Sequence, residues 1–270
     1  MNDGLSADEL LVLVVSVLYA VIKGAAFYRD LFLAARLGRD VRQRLPLALT
    51  PVAGFAVLLP VLLYLAEKDV RTSQLYILLF LSLGAAWMLL VSQFFPLLGL
   101  SIREDVVEQG NQPAAIATGG AMLGFLLAYA GGNIGSGPTI WTTIVPSLLA
   151  TVCLFLLWFA VELGSMVSVS IAEERDLAAG WRLAGFLVAA GIILGNAIAG
   201  DWLSTAATIR DFLRLGWPVL GLTLVAVFVE RKLRLTFARP IRCPSRFGLL
   251  PAFIYFAMAT TIVIVSRTWK

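Results

Sequence analysis

Two short acidic motifs with the same spacing contain side chains that could bind a cation or a basic partner. In each motif a glutamate lies three residues before an asparagine or aspartate, and a glycine-rich apolar segment follows. The copies read Glu108-x-x-Asn111-x-x-Ala114-x5-Gly120 and Glu173-x-x-Asp176-x-x-Ala179-x5-Gly185. We interpret this recurrence as an internal repeat, which decides how the rest of the chain is divided.

The acidic residues around the two motifs admit two interpretations. An Asn or Asp at the start of a helix caps a backbone N–H, and carboxylates there interact favourably with the helix dipole. Capping alone explains either copy, but two copies on one face of the protein could together meet a cation or a basic partner. This candidate rim comprises Glu104, Asp105, Glu108, Asn111, Glu173, Glu174 and Asp176.

The composition of the chain identifies the elements that must position these residues. Of the 270 residues 60% are hydrophobic and only 14% are charged, whereas soluble domains have about 45–50% apolar and about 25% charged residues. A membrane-spanning helix needs about 20 mostly apolar residues. The sequence predicts eight such helices, at 10–28, 45–66, 75–98, 113–131, 140–164, 183–200, 213–230 and 247–266.

The expected fold is an all-α polytopic membrane helix bundle that forms one integral membrane domain, 1–270. It consists of four hairpins, and the central two are the tandem repeat. The seventh helix is the weakest prediction because Gly216, Pro218 and Gly221 interrupt it, so a partly submerged or kinked helix is an alternative. The four hairpins are 10–66, 75–131, 140–202 and 213–266.

The distribution of basic residues predicts the orientation, since Lys and Arg in short loops tend to stay in the cytoplasm. Fourteen of them fall on the side of the acidic motifs and six on the other side. We therefore expect the N-terminus and the C-terminus to lie outside a bacterial cytoplasmic membrane, with an uncleaved first helix. The fourteen are Arg29, Arg36, Arg39, Arg42, Arg44, Arg103, Arg175, Arg182, Arg231, Lys232, Arg234, Arg239, Arg242 and Arg246.

Small residues recur in the two helices that follow the acidic motifs. Glycines on one face let helix backbones approach closely, which is a main route to helix association in lipid. They predict packing within one subunit, or alternatively a homo-oligomeric seam or a pore. The candidate seam comprises Gly120, Gly124, Gly185, Gly191 and Gly195.

Two further features permit both a structural and a functional interpretation. Glu162 lies near the end of its helix, where its side chain can reach the lipid headgroups. Alternatively Arg182 or Arg175 could approach it, and Glu162–Arg182 is the candidate buried ion pair. The outer segment from Gly131 to Pro138 is dense in glycine. It is either a tight turn or a backbone-lined filter or substrate loop.

The residues that are missing exclude several kinds of chemistry. The chain has no histidine and two cysteines, which leaves no Ser-His-Asp or Cys-His catalysis and no thiolate metal cluster. We predict no catalytic residues, no metal site and no cofactor, and hence no enzyme. We attribute the net positive charge of +4 to the Lys and Arg residues of the loops that set the orientation in the membrane. We therefore expect no nucleic-acid partner.

The motif pair resembles the bacterial membrane family called domain of unknown function 350. The resemblance covers residues 75–202 and depends on Gly110-Asn-x-x-Ala-Ala-x-Ala-x-x-Gly120 and Asp176-x-Ala-Ala-x5-Gly185, where Asp176 replaces the usual Asn. It implies an inner-membrane protein with no assigned chemistry. The first functional hypothesis is a non-enzymatic, oligomeric component that docks a cytoplasmic or membrane protein through its cytoplasmic loops. The alternative is a channel or facilitator for a small solute or cation along helices four and six.

Overall fold

The computed structural model describes residues 5–36, 41–236 and 245–268, and most of these residues are helical. Within these three segments no strand occurs, and the one β-type pairing is a parallel bridge between Ala66 and Gly135. The α-helices are α1 (Ala7–Arg36), α2 (Leu45–Pro60), α3 (Lys68–Thr72), α4 (Gln74–Ser92), α5 (Gln112–Gly131), α6 (Trp141–Ser165), α7 (Val167–Ala172), α8 (Leu177–Ile198), α9 (Thr205–Gly216), α10 (Pro218–Thr236) and α11 (Leu250–Thr268).

Shorter helical turns complete these elements. Val61–Leu65 extends α2 as a π-helical turn, and Phe95–Leu98 is a 3-10 turn after α4. Ile102–Glu108 is π-helical and precedes α5, and Ser245–Leu249 leads into α11 in the same way.

Seven helices of the described chain are long and apolar enough to cross a membrane, namely α1, α2 with its π turn, α4, α5, α6, α8 and α11. The pair α9 and α10 also passes this test, but it is bent by 43° at Trp217. The fold is therefore a polytopic helical bundle with seven spans, or eight if the bent pair counts as one. The bend lies between Gly216 and Pro218, as the kinked alternative for the seventh helix predicts.

Two predicted boundaries need correction. The span expected at 183–200 is α8, which begins at Leu177, because Asp176 caps the helix before the apolar run starts. The span expected at 75–98 ends as an α-helix at Ser92, and the chain continues into the 3-10 turn that contains Pro96. A proline in a helix interior removes a backbone hydrogen bond, which explains the early end.

The second helices of the hairpins form a parallel row. Gly180 of α8 lies against Pro113 near the start of α5, and Gly195 lies against Gly131 at the end of α5. Helix α11 packs on the other side of α8. Near its end Asn196 donates a hydrogen bond to Ser266 Oγ at 3.0 Å.

Helix α2 completes the row beside α5. Arg44, at its start, reaches the segment before α5, and Ala66, just past its end, pairs with Gly135 after α5. We call the end where α2, α5, α8 and α11 begin the capping face, and the opposite end the loop face. Glu9 and Ser266 both lie at the loop face.

Helix α5 is the centre of the bundle. In α5, 89% of the span is buried inside the protein, against 6% for α1 and 17% for the last span. The small side chains of α5 allow neighbouring backbones to surround it closely. The repeat motifs therefore belong to the most enclosed part of the molecule.

Candidate functional sites at the two faces of the bundle

Asn111 joins the two acidic segments at the capping face. Its side chain is 0% exposed. The Oδ1 atom accepts a hydrogen bond from Ala114 N at 3.2 Å and so caps α5. The Nδ2 group donates to the carbonyls of Ile171 and Ala172 at 2.9 and 3.0 Å. One amide therefore caps its own helix and fixes the end of α7 in the other segment.

Arg44 makes the corresponding contact one hairpin earlier. It begins α2, and its guanidinium donates to the carbonyls of Val106 and Val107 at 3.0 and 2.9 Å. These carbonyls lie sixty-five residues before the two that Asn111 holds. Arg44 is 2% exposed, so its role is to join helices rather than to mark a cytoplasmic loop.

The residue before each cap has a left-handed backbone. The φ angle is 65° at Gly110 and 54° at Arg175. The following amides then bond six residues back, Asn111 N to Asp105 O at 2.9 Å and Asp176 N to Ser170 O at 2.8 Å. Each bond spans one residue more than the closing bond of a Schellman motif, and the shared span shows that both acidic segments end in the same backbone geometry.

Asp176 caps α8 and contributes to a buried ionic cluster. Its Oδ1 accepts from Ala178 N at 2.9 Å, and its Oδ2 lies 3.8 Å from Arg182. Arg182 is 2% exposed and donates to both oxygens of Glu230 at 2.6 and 2.7 Å. It also donates to Phe247 O at 2.8 Å. The cluster joins α8 to α10 and to the turn before α11, and it gives the Asp176 carboxylate a charged neighbour.

The predicted partner of Arg182 was wrong. Glu162 accepts hydrogen bonds from the Ser168 hydroxyl at 2.6 Å and from its backbone N–H at 3.0 Å. The left-handed turn at Met166, with φ 50°, folds α7 back so that Ser168 meets this carboxylate. Glu230 occupies the place beside Arg182 because α10 packs against α8.

The candidate rim divides into two groups. Asp105, Asn111 and Asp176 are buried, and Asp105 accepts a hydrogen bond from Ser101 N at 2.7 Å. The four glutamates are exposed. Within the described residues no cluster of three or more acids, cysteines or histidines could hold a metal ion. The exposed group comprises Glu104, Glu108, Glu173 and Glu174.

The glycines pack α5 and α8 together inside one chain. A methyl group on Gly120 would overlap Ala184, and one on Gly195 would lie 2.6 Å from Leu127 O. Methyl groups on Gly124 or Gly191 would overlap backbone atoms of the facing helix. Gly185 faces Ala252 of α11 instead. These contacts agree with packing within the subunit and leave no room for a path between α5 and α8 in this structure.

At the loop face the glycine-dense segment pairs with the chain that follows α8. Gly200 N donates to Ile134 O, and Trp202 N donates to Ser136 O, both at 2.8 Å. The Ser136 hydroxyl and backbone N–H donate to Asp201 Oδ1 at 2.7 and 2.8 Å. These bonds hold the pKa of the exposed Asp201 carboxyl below its usual range. The segment is thus an ordered turn, and it lines a cavity of about 310 Å³.

Several residues of these sites were not found from the sequence. Arg44 was counted among the loop charges, and Glu230, the last residue of the predicted seventh helix, was given no role. A charge so near an apolar span is nevertheless a signal of a buried partner. Glu9, Glu67 and Asp69 line the loop-face cavity, but Glu9 belongs to α1, whereas Glu67 and Asp69 lie at the start of α3. No motif connects them along the chain.

The fold and these sites define a multi-pass α-helical membrane protein. The family model Domain of Unknown Function (DUF350) matches residues 69–198, from α3 to the last residue of α8. Residues 69–198 are therefore similar to this family, as the motif pair indicated, and the matched segment includes the enclosed α5 and α8. Comparison with curated proteins and with solved structures gave no match.

Proposed function

We propose that this protein is a non-enzymatic membrane component that docks a basic protein partner at its capping face. The observation that carries the proposal is the division of roles within both acidic segments. Buried polar side chains close and cap the helices, so the exposed carboxylates are not needed for the fold. The docking surface comprises Glu104, Glu108, Glu173 and Glu174.

The geometry supports this surface because the two segments are held at a fixed separation. Asn111 joins them through two hydrogen bonds, and Arg175 donates to Gln109 O at 3.5 Å. A preorganised surface loses less conformational entropy when a partner binds. Attraction between these carboxylates and a basic partner accelerates and orients the encounter of the two proteins.

The ion pair within this surface does not oppose docking strongly. Arg103 and Glu108 lie 3.3 Å apart, and both side chains are mostly exposed. An exposed pair of this kind contributes about 0–1 kcal/mol. A basic partner can therefore replace Arg103 beside Glu108 at little cost.

A solute path between α5 and α8 is the weaker candidate. Backbone atoms of the two helices meet at Gly124, Gly131, Gly191 and Gly195, where a channel would need space. Transport along this line would require the most enclosed helices of the bundle to separate. Docking needs no such rearrangement.

The proposal is tested by neutralising one glutamate in each segment. We expect Glu108→Gln/Glu173→Gln, purified from native membranes in mild detergent, to recover several-fold less of its protein partner than wild type. Recovery by wild type should fall as salt rises from about 0.05 to 0.5 M, because the Debye length shortens from above 10 Å to below 5 Å. The double variant should lose most of that salt dependence.

The control is Asp8→Asn/Asp211→Asn, which removes the same charge at the loop face. It should recover the partner as wild type does. Equal recovery by both double variants would contradict docking at the capping face. If wild-type vesicles instead pass K⁺ and Glu108→Gln/Glu173→Gln slows that flux while partner recovery is unchanged, the acids serve a cation entrance.

A further inference from the structure

The loop-face cavity has a lining suited to one class of ligand. Its volume is about 310 Å³, which lies at the lower end of the range for small-molecule sites. The turn 132–139 forms one wall. Helices α1, α3 and α4 supply the opposite wall, and Trp202 lies at the side. This cavity is at the opposite end of the bundle from the proposed docking surface and is independent of it.

The charge of this lining is negative. Glu9, Glu67 and Asp69 all line the cavity, and none of the described lining residues is Lys or Arg. Glu9 accepts hydrogen bonds from Ser6 N at 2.9 Å and from the Tyr76 hydroxyl at 3.1 Å. Glu67 accepts a long one from Gly137 N at 3.4 Å. These donors are neutral, so the described lining offers the three carboxylates no basic partner.

A buried carbonyl oxygen in the same wall lacks a donor. Asn133 lines the cavity, is 6% exposed, and donates through Nδ2 to Tyr129 O at 3.0 Å. Within the described residues nothing donates a hydrogen bond to its Oδ1. A buried acceptor without a partner is costly. A ligand that carries an N–H group would satisfy it.

The arrangement favours an organic cation over a metal ion. The three carboxylates belong to α1, to the residue before α3 and to α3, and the described residues include no acid cluster that could hold a metal. A molecule several atoms long can reach dispersed charges that a single ion cannot. Tyr76, Phe80 and Trp202 also line the cavity, and aromatic faces attract ammonium groups.

We infer that this cavity binds a small organic amine in its ammonium form. One N–H donates to Asn133 Oδ1, and the positive charge lies among Glu9, Glu67 and Asp69. The glycines of the turn let the backbone approach the ligand closely, since they carry no side chain into the cavity.

Calorimetric titration of the purified full-length protein in detergent tests this inference. The probe is 1,3-diaminopropane, and tetramethylammonium and Mg²⁺ are titrated in parallel. We expect the diamine to bind, and to bind at least about tenfold more tightly than tetramethylammonium, which has no N–H to donate. Absence of diamine binding, or equal affinity for both cations, would overturn the inference.

Variants of two lining carboxylates at the start of α3 locate the site. Glu67→Gln and Asp69→Asn should each weaken diamine binding by about tenfold, because each removes one charge that faces the ammonium. Asp30→Asn removes a charge at the other end of α1 and should bind as wild type does. Elution volume and melting temperature establish that each variant is folded, and either cavity variant suffices if the other does not fold.

Two results of this series would count against the amine. Wild-type affinity in both cavity variants would place the diamine elsewhere on the protein. Tighter binding of Mg²⁺ than of the diamine, lost in the same variants, would make the cavity a metal site.

Discussion

At the scale of single residues, the N-cap residues of the two acidic motifs have similar side chains but different hydrogen-bond partners. The Asn111 side chain supplies an acceptor for the first turn of α5 and donors for the carbonyls that end α7. The Asp176 side chain supplies an acceptor for the first turn of α8 and a negative charge beside Arg182. The amide and the carboxylate have almost the same shape, so hydrogen-bond partners rather than size distinguish the two positions.

This difference predicts the effect of Asn111→Asp. The variant keeps the helix cap but removes both donors, which leaves the carbonyls of Ile171 and Ala172 facing a carboxylate. We expect the free energy of unfolding in detergent to fall by about 1–3 kcal/mol, the cost of unsatisfied buried polar groups. Denaturant or thermal unfolding followed by circular dichroism measures it.

Gln112→Glu is the matched control for that variant. It adds the same charge one residue later, at an exposed position in the first turn of α5. A carboxylate there is neutral or slightly stabilising because of the helix dipole. If Asn111→Asp unfolded like Gln112→Glu, the bonds across to α7 would contribute nothing to stability.

At the scale of helices, small residues determine how near α5 and α8 can lie. The close contacts recur along the whole length of the pair, from Gly180 against Pro113 to Gly131 against Gly195. Dispersion and packing replace the hydrophobic effect as the source of association within lipid. Any added side-chain atom must therefore move a backbone.

Gly191→Ala tests this packing with the smallest possible change. The new methyl group would overlap Gly124 O of the facing helix, and overpacking of this kind costs about 1–3 kcal/mol. We expect a lower melting temperature in detergent with unchanged particle mass in the folded fraction. Loss of mass without loss of stability would instead support an oligomeric seam.

Gly221→Ala serves as the comparison for Gly191→Ala. It introduces the same methyl group into α10 at a position where no atom lies within 4 Å. Its melting temperature should equal or slightly exceed that of wild type, since alanine favours a helix. Equal stability of the two variants would show that the α5–α8 contact tolerates extra bulk.

At the scale of the whole molecule, the parallel row of helices separates two chemically different faces. The capping face carries most of the basic residues, although Arg44 and Arg182 turn out to be buried. Without these two, twelve Lys and Arg residues are assigned to the capping face and six to the loop face. This excess still favours a cytoplasmic capping face. Three of the twelve lie outside the described residues, namely Arg39, Arg239 and Arg242. The proposed location remains a bacterial cytoplasmic membrane with both termini outside.

Single-cysteine labelling tests that orientation. In a background with Cys153 and Cys243 replaced by alanine, Arg103→Cys reports on the capping face and Leu203→Cys on the loop face. Both positions are more than 80% exposed. A membrane-impermeant maleimide should label Leu203→Cys in intact bacterial cells and Arg103→Cys only after permeabilisation. The reverse pattern would contradict the predicted topology.

The sequence by itself determined the class of fold, most of the spans and the caps. A membrane span depends on a long apolar run, and a helix cap such as Asn111 or Asp176 depends on the residues just after it. Composition and spacing are therefore sufficient to predict both. The resemblance to the matched family followed from the same local motifs. The outer turn at Gly131–Pro138 was also visible, because glycine and proline limit the backbone wherever they occur.

Only the tertiary structure decided which distant residues meet. The partner of Arg182 is Glu230 rather than Glu162, because the choice depends on how α10 packs and on the turn that occupies Glu162 with Ser168. The loop-face cavity likewise collects carboxylates from elements far apart in the chain. Such contacts arise from helix packing, which a single sequence does not encode as a local pattern, whereas caps and spans depend on neighbours within a few residues.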